Sequence, residues 1–246
     1  MNITYDLNLV FLSAITAVIA GFLTIEMSRE IVVNEGLEHW VLLGISSLTM
    51  GMGIWGMHFI AMTALSMRTQ ITYNFPLVLI SLIAAIAGCL QGLYIVSRPL
   101  INNMTLIAAS ISMGSAIAGM HYIGMAAMQM SAKITYNVPI AILSVVIAIV
   151  VSLVAIKITI ALRTQRKGKH YLVQEGLASL LMGGAVLSMH YTGMAAAKFK
   201  FDPTMVIENV NILDNKTLGF CVGLTVLGVF AMVYSSLINF GKSRST

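Results

Sequence analysis

WVLLGISSLTMGMGIWGMHFIAMTALS, residues 40–66, is an apolar run with a histidine in its second half. It exceeds the ~20 residues a helix needs to cross about 30 Å of hydrocarbon. Six further stretches of this kind lie at about 8–27, 77–97, 105–130, 138–162, 172–196 and 217–240. The short alternating segments that build a membrane barrel are absent. Backbone groups in lipid must find partners within their own segment, so seven long runs predict seven helices. Of the 246 residues, 58% are hydrophobic and 9% charged, whereas soluble domains carry about 25% charged residues. Mean hydropathy is +0.91. The expected fold is an all-α membrane protein, a seven-transmembrane-helix bundle with the lipid bilayer as its partner.

The net charge is +5. Its basic residues sit in loops and tails, which points to the membrane surface and away from nucleic acid. Residues 1–6 carry no Lys or Arg and no small-residue cleavage site, so the first run reads as a retained span. With the amino terminus on side A, seven crossings place the carboxyl terminus on side B. Side B then holds Arg29, Arg98, Arg163, Arg166, Lys167, Lys169, Lys242 and Arg244, and side A holds Arg68, Lys133, Lys198, Lys200 and Lys216. The excess makes side B the cytoplasmic face. The chain is expected to be a multi-pass protein of the cell membrane, its N-terminus outside and its C-terminus cytoplasmic. Lys157, near the side B end of the fifth run, can snorkel. Cys89 and Cys221 fall in the third and seventh runs, form no CxxC, and read as small buried apolar residues.

The histidine of residues 40–66 recurs. GMHFIAM (56–62) is followed by GMHYIGM (119–125) and SMHYTGM (188–194). A second element repeats with it. ITYN occurs at 71–74 and 134–137, each followed by a proline (Pro76, Pro139), ITYD opens the chain at 3–6, and FKFDP (199–203) is a fainter echo. The period is one helix pair: a marker, a plain span, a loop on side B, then a Met-His span returning to side A. Three helix-pair repeats account for six runs, and a final helix is left over. His58 precedes Ile71, and His121 precedes Ile134, by the same 13 residues. At ~1.5 Å per residue they share a depth. His190 precedes Phe199 by only nine residues, which leaves its depth open.

Methionine stands at positions −1 and +4 from every motif histidine (Met57, Met62, Met120, Met125, Met189, Met194) and also at −8 (Met50, Met113, Met182). At ~100° per residue, one arc of each helix presents the imidazole together with thioethers. Three inward-facing arcs would gather His58, His121 and His190 with the methionines around them. Neutral imidazole is a common metal ligand. Thioether selects copper(I), and imidazole also accepts copper(II). Zinc would more often be paired with thiolate or carboxylate, and none lies in the motif. Copper is the first choice, and iron or haem the second, since two helical histidines can ligate a haem axially. An interhelical hydrogen-bond cluster and a proton path remain open alternatives.

Other features read more plainly. GMGIWG (51–56) matches a dinucleotide-binding spacing but lies inside a span with no strand before it, so its glycines read as helix-contact residues. Glu26 is structural, or else a charge relay or hinge. Glu175 belongs to the first turn of the sixth run, where an acid suits the helix dipole. His39 and His170 read as solvated interface residues, and Tyr5, Tyr73 and Tyr136 as an aromatic belt on side A. RTQRKGKH (163–170) reads as a solvated loop near anionic lipid. No catalytic triad, carboxylate pair or phosphate loop is visible, so an enzymatic role is not expected.

MHFIAM, MHYIGM and MHYTGM, in the second, fourth and sixth runs, resemble the three signatures of the MHYT domain, a bacterial integral-membrane sensor domain. The resemblance covers residues 1–240 and leaves 241–246 as a short cytoplasmic tail. It implies that motifs near the outer membrane face bind copper through His58, His121, His190, Met57, Met62, Met120, Met125, Met189 and Met194. Through that copper the domain would sense a diatomic gas (oxygen, carbon monoxide or nitric oxide) or redox state, and signal to a cytoplasmic partner. Only the third copy keeps a literal MHYT, and Phe59 lacks a phenol. Family members often carry cyclic-di-GMP synthesis or hydrolysis domains, or kinase domains, after the membrane part. Ending at GKSRST, this chain is expected to be a free-standing form or one whose output domain has been cut away. The competing expectations are a copper-handling transporter or channel, and a haem- or copper-based electron-transfer protein.

Overall fold

The computed structural model describes residues 3–67, 69–163, 170–205 and 212–243. Arg68, Arg166, Lys167, Lys169 and Arg244, used above to orient the chain, lie outside the described residues. Among the described residues, seven helices are long and apolar enough to span a membrane. They are α1 (Leu7–Val33), α2 (Gly36–Thr63), α3 (Phe75–Ser97), α4 (Asn103–Ala126), α5 (Val138–Arg163), α6 (Tyr171–Ala196) and α7 (Asn215–Ser243). The protein is a multi-pass membrane protein. Ile83, Ile142, Leu180 and Leu227 are among the large apolar side chains exposed on its outside, as a lipid-facing surface requires.

The first six helices close into a ring. α1 packs on α2, α2 on α3, and so on round to α6, which packs on α1, while α7 lies against α2 and α1. The expected helix-contact role of GMGIWG is met in a specific way. An added Cβ would lie 2.8 Å from the Ile86 backbone of α3 at Gly51, 2.0 Å from Ala20 Cβ of α1 at Gly53, and 2.6 Å from Val226 of α7 at Gly56. Each glycine lets α2 approach a different neighbour. Trp55, between them, donates Nε1–H to Val78 O and Ser81 Oγ on α3 at 3.2 and 3.1 Å.

The repeat has a structural unit that its sequence did not announce. Among the described residues, seven short strands join the helices: β1 (Thr4–Tyr5), β2 (Leu65–Ser66), β3 (Thr72–Asn74), β4 (Met128–Gln129), β5 (Ala132–Tyr136), β6 (Ala197–Phe201) and β7 (Ile212–Asp214). β1 pairs with β2, β3 with β4, and β5 with β6, all antiparallel. Each pair joins the strand before a plain helix to the strand after the Met-His helix that follows it. Every helix pair is thus latched at one end. The marker is a strand plus a helix cap: the side-chain oxygens of Asp6 and Asn74 accept backbone N–H groups of Asn8 and Leu77 at 2.9 and 3.1 Å, and Pro76 follows in the first turn, where its missing N–H costs nothing.

The fourth marker is not FKFDP. Residues 199–201 belong to β6, and the segment that opens the last helix is Ile212–Asp214, which pairs with β3. Asp214 caps α7, accepting from the N–H groups of Lys216 and Thr217 at 3.0 and 3.1 Å. Hydrogen bonds from Thr217 hold its carboxyl below the usual carboxylate range. Helix limits shift accordingly. The fourth run, expected to 130, stops at Ala126 because 128–129 turn into strand β4, and α7 continues to Ser243, into the expected tail.

Candidate metal centre

His58, His121 and His190 each stand seven positions before the strand that follows their helix, at Leu65, Met128 and Ala197. Measured against this latch, all three share a register, including His190. All are buried to 1% exposure or less. Their rings meet edge to face, with centroids 5.0, 5.1 and 5.2 Å apart. The Nδ1 atoms converge: that of His58 lies 3.1 Å from His190 Nδ1 and 3.3 Å from His121 Nδ1. The Nε2 atoms have no hydrogen-bond partner among the described residues. Two of them face neighbouring helices: a Cβ at Gly124 would lie 2.4 Å from His58 Nε2, and one at Gly193 would lie 2.3 Å from His121 Nε2. The glycines at motif position +3 of the second and third copies give two of the three rings their space; the first copy carries Ala61 there.

This arrangement can be tested against a hydrogen-bonded cluster. A neutral imidazole nitrogen has either one hydrogen or one lone pair. One-to-one hydrogen bonding therefore pairs His58 Nδ1 with one of its two Nδ1 neighbours, and the second contact would need a weaker three-centre bond. A cation between the rings accepts all three lone pairs. Three nitrogens about 2.0 Å from one ion, at tetrahedral angles, stand ~3.3 Å from each other, close to the spacing here. Among the described residues, the three histidines are the group of His, Cys, Asp or Glu side chains with such a spacing.

Met57, Met62, Met120, Met125, Met189 and Met194 are all buried, so the donors are surrounded by protein and not by water. Beyond them lies a layer that the sequence reading missed. The aromatic residue after each histidine packs on that histidine's ring and also on a marker tyrosine: Phe59 on Tyr73 at 6.0 Å, Tyr122 on Tyr136 at 5.5 Å, and Tyr191 on Tyr5 at 6.1 Å. These tyrosines were expected in an aromatic belt. Tyr73 is instead fully buried, covered from the side of α7, where its hydroxyl donates to Asn215 Oδ1 at 3.4 Å. Burial pushes its phenol above the usual tyrosine range. The signal was present as two aromatics repeating in step.

At the opposite end, α1 and α6 bring together Glu26, Arg29, Tyr171 and Glu175. Arg29, counted above as a surface cation, is buried; it donates to Leu162 O of α5 at 3.1 Å, and its guanidinium lies 3.7 Å from the centroid of the Tyr171 ring. Glu175 is not a first-turn residue. α6 begins at Tyr171, and Glu175 is fully buried facing Glu26, Tyr171 and Arg29. His39 donates Nδ1–H to Ile31 O (2.9 Å), and His170 is exposed at the start of α6. Of the cysteines, Cys89 is buried as expected, but Cys221 is exposed.

Comparison with known proteins places the same features in a family. Residues 51–109, 114–169 and 183–239 each match MHYT, described as a bacterial signalling protein N-terminal repeat. One histidine of the triad falls in each match, and together the matches cover more than half of the chain. The signaling protein YkoW of Bacillus subtilis is 37% identical over 202 residues, 82% of this chain and 25% of its own length. In Pseudomonas aeruginosa, the bifunctional diguanylate cyclase/cyclic di-GMP phosphodiesterase MucR is 36% identical over 93% of this chain and 33% of its own length. The cyclic di-GMP phosphodiesterase NbdA of that organism is 33% identical over 94% and 29%. The chain therefore spans about a quarter to a third of the length of these relatives. No solved structure matches it.

Proposed function

The chain belongs to the MHYT family of bacterial signalling proteins, and from that premise we propose that it binds a copper ion on His58, His121 and His190 and senses a diatomic gas or a redox change. The observation that carries this reading is the convergence of three Nδ1 atoms at 3.1 and 3.3 Å, which one-to-one hydrogen bonding cannot satisfy. Bound there, copper would supply a redox couple and a position for oxygen, carbon monoxide or nitric oxide. The chain's own groups would do the rest. The six motif methionines keep water out and favour copper over harder ions. The aromatic layer of Phe59, Tyr122 and Tyr191 fixes the imidazole planes. A haem held between two imidazoles would need their nitrogens ~4 Å apart, twice a usual metal–nitrogen distance, with the macrocycle between them, so the spacing favours a bare ion.

The output is part of the proposal. Two relatives are named for the synthesis or breakdown of cyclic di-GMP, and we extend that kind of cytoplasmic output to the protein this domain serves. The competing transport reading is less well supported. α2, α4 and α6 each run unbroken past their histidines, whereas transporters commonly interrupt helices at the substrate site.

The test is metal analysis with X-ray absorption on protein purified from membranes. Wild type should carry nitrogen-coordinated copper, and the reduced form should bind carbon monoxide with its own infrared band. The variant His58→Ala/His121→Ala/His190→Ala should lose both. Wild type without copper after reconstitution, or a triple variant that keeps the nitrogen shell, would defeat the proposal.

A further inference from the structure

Met50, Met113 and Met182 stand eight residues before the three motif histidines, and the histidine site does not use them. Each is buried, and all three line one internal cavity of about 20 Å³, room for a single water-sized guest. Its walls come from all six helices of the ring. At ~1.5 Å per residue the cavity lies about 12 Å from the histidines, towards side B.

Three observations separate this cavity from ordinary packing. First, flexible methionines normally fill the gaps between helices; here three of them, from equivalent positions in three repeats, border a space instead. Second, the wall is shaped around sulfur. A Cβ at Gly92 would lie 2.5 Å from Met113 Sδ, so the absence of a side chain on α3 admits that atom. Buried Cys89 adds a fourth sulfur to the lining. Third, Thr24 also lines the cavity, is 2% exposed, and its hydroxyl oxygen has no hydrogen-bond partner among the described residues. A buried hydroxyl of that kind is costly unless something in the cavity meets it.

The donor set fixes what the guest is. Among the described residues, no Asp, Glu or His lines the cavity, which disfavours hard divalent ions. Neutral thioethers select soft, monovalent ions. We infer that Met50, Met113 and Met182 form a second metal site, for one copper(I) ion, on the axis below the histidines. Lacking imidazole, it holds copper(I) and not copper(II), so it is insensitive to the redox change that an imidazole site tolerates.

This site rests on its own residues, and the experiment separates its fate from that of the histidines. The full chain in nanodiscs is titrated with silver(I), a redox-inert stand-in for copper(I), and with copper(I) under anaerobic conditions. Wild type should bind two ions per chain. Met50→Leu/Met113→Leu/Met182→Leu, a nearly volume-conserving change, should bind one. The triple histidine variant should also bind one, with a first shell of sulfur alone at ~2.3 Å. Met113→Leu by itself should lower the occupancy of the same site, a check that stands if the triple variant folds poorly. If the methionine variant binds as wild type does, or the histidine variant shows no sulfur-only ion, the cavity holds a water on Thr24 and the inference fails, while the histidine reading stands or falls by its nitrogen shell. If only the methionine variant loses an ion, this site stands and the histidine site does not.

Discussion

Gly124 and Gly193 do more for the triad than their size suggests. A ring nitrogen occupies the place where their side chains would start, 2.4 and 2.3 Å from the ideal Cβ. Gly124→Ala should therefore tilt the His58 ring and weaken copper binding on the order of 10–100-fold, the usual loss when a ligand's support is disturbed. Gly119→Ala, on the same helix with nothing within 4 Å of its added carbon, should leave affinity unchanged. Equal affinities for the two variants, measured by competition with a copper(I) chelator, would show that the ring is free to move. From one chain alone, position +3 reads as Ala61, Gly124 and Gly193, a site of drift, because the clash involves a helix some sixty residues away. The histidines themselves were legible, since a polar ring in an apolar run stands out against its neighbours. The marker tyrosines were half legible. A belt tyrosine and a roof tyrosine look identical in sequence, and only the covering of Tyr73 from the side of α7 tells them apart.

Helix α2 shows what decides legibility at the level of elements. Its existence follows from length and hydropathy alone, as does that of the other six spans. Its packing follows from three glycines that face three helices. Gly53→Val would force a branched side chain into Ala20, where even a Cβ would be 2.0 Å from the neighbouring carbon. The expected cost is that of overpacking, about 1–3 kcal/mol or more, read as a lower melting temperature in detergent. Gly44→Val, on the same helix with nothing within 4 Å, is the comparison, and equal melting of the two would contradict the close α1–α2 contact. The strands were not legible for a physical reason. At two to five residues each they are too short to show a period of two, and each pairs with a segment dozens of residues away. That is also why FKFDP passed for a marker. Its Asp-Pro resembled the start of a span, but the role is set by who pairs with β3, and Ile212–Asp214 does. α1 outruns its expected limit at 27 for a related reason: Arg29 breaks the apolar run in sequence, yet in the ring it is satisfied by Leu162 O and the Tyr171 ring.

Across the whole molecule, the ring has two polar centres at its two ends. The histidines join α2, α4 and α6 beneath the strand latches, and Arg29 with Glu175 joins α1, α5 and α6 at the other end. A change of spacing among the imidazoles can reach the far end only as a movement of helices, because continuous helices connect the two. The proposed sensing therefore depends on which end meets the outside. The charge argument for orientation is weaker than the sequence implied, since Arg29 is inside the bundle and does not act as a surface cation. Labelling can decide. In a Cys221→Ser background, which removes the exposed native thiol, Lys133→Cys places a thiol on exposed β5 at the latched end, and Glu35→Cys places one in the exposed turn between α1 and α2. A membrane-impermeant maleimide added to intact cells should label Lys133→Cys, and should label Glu35→Cys only after permeabilisation. The reverse pattern would turn the histidines towards the cytoplasm, where the gas or redox signal would have to arise inside the cell and the output could not lie across the bilayer from its sensor.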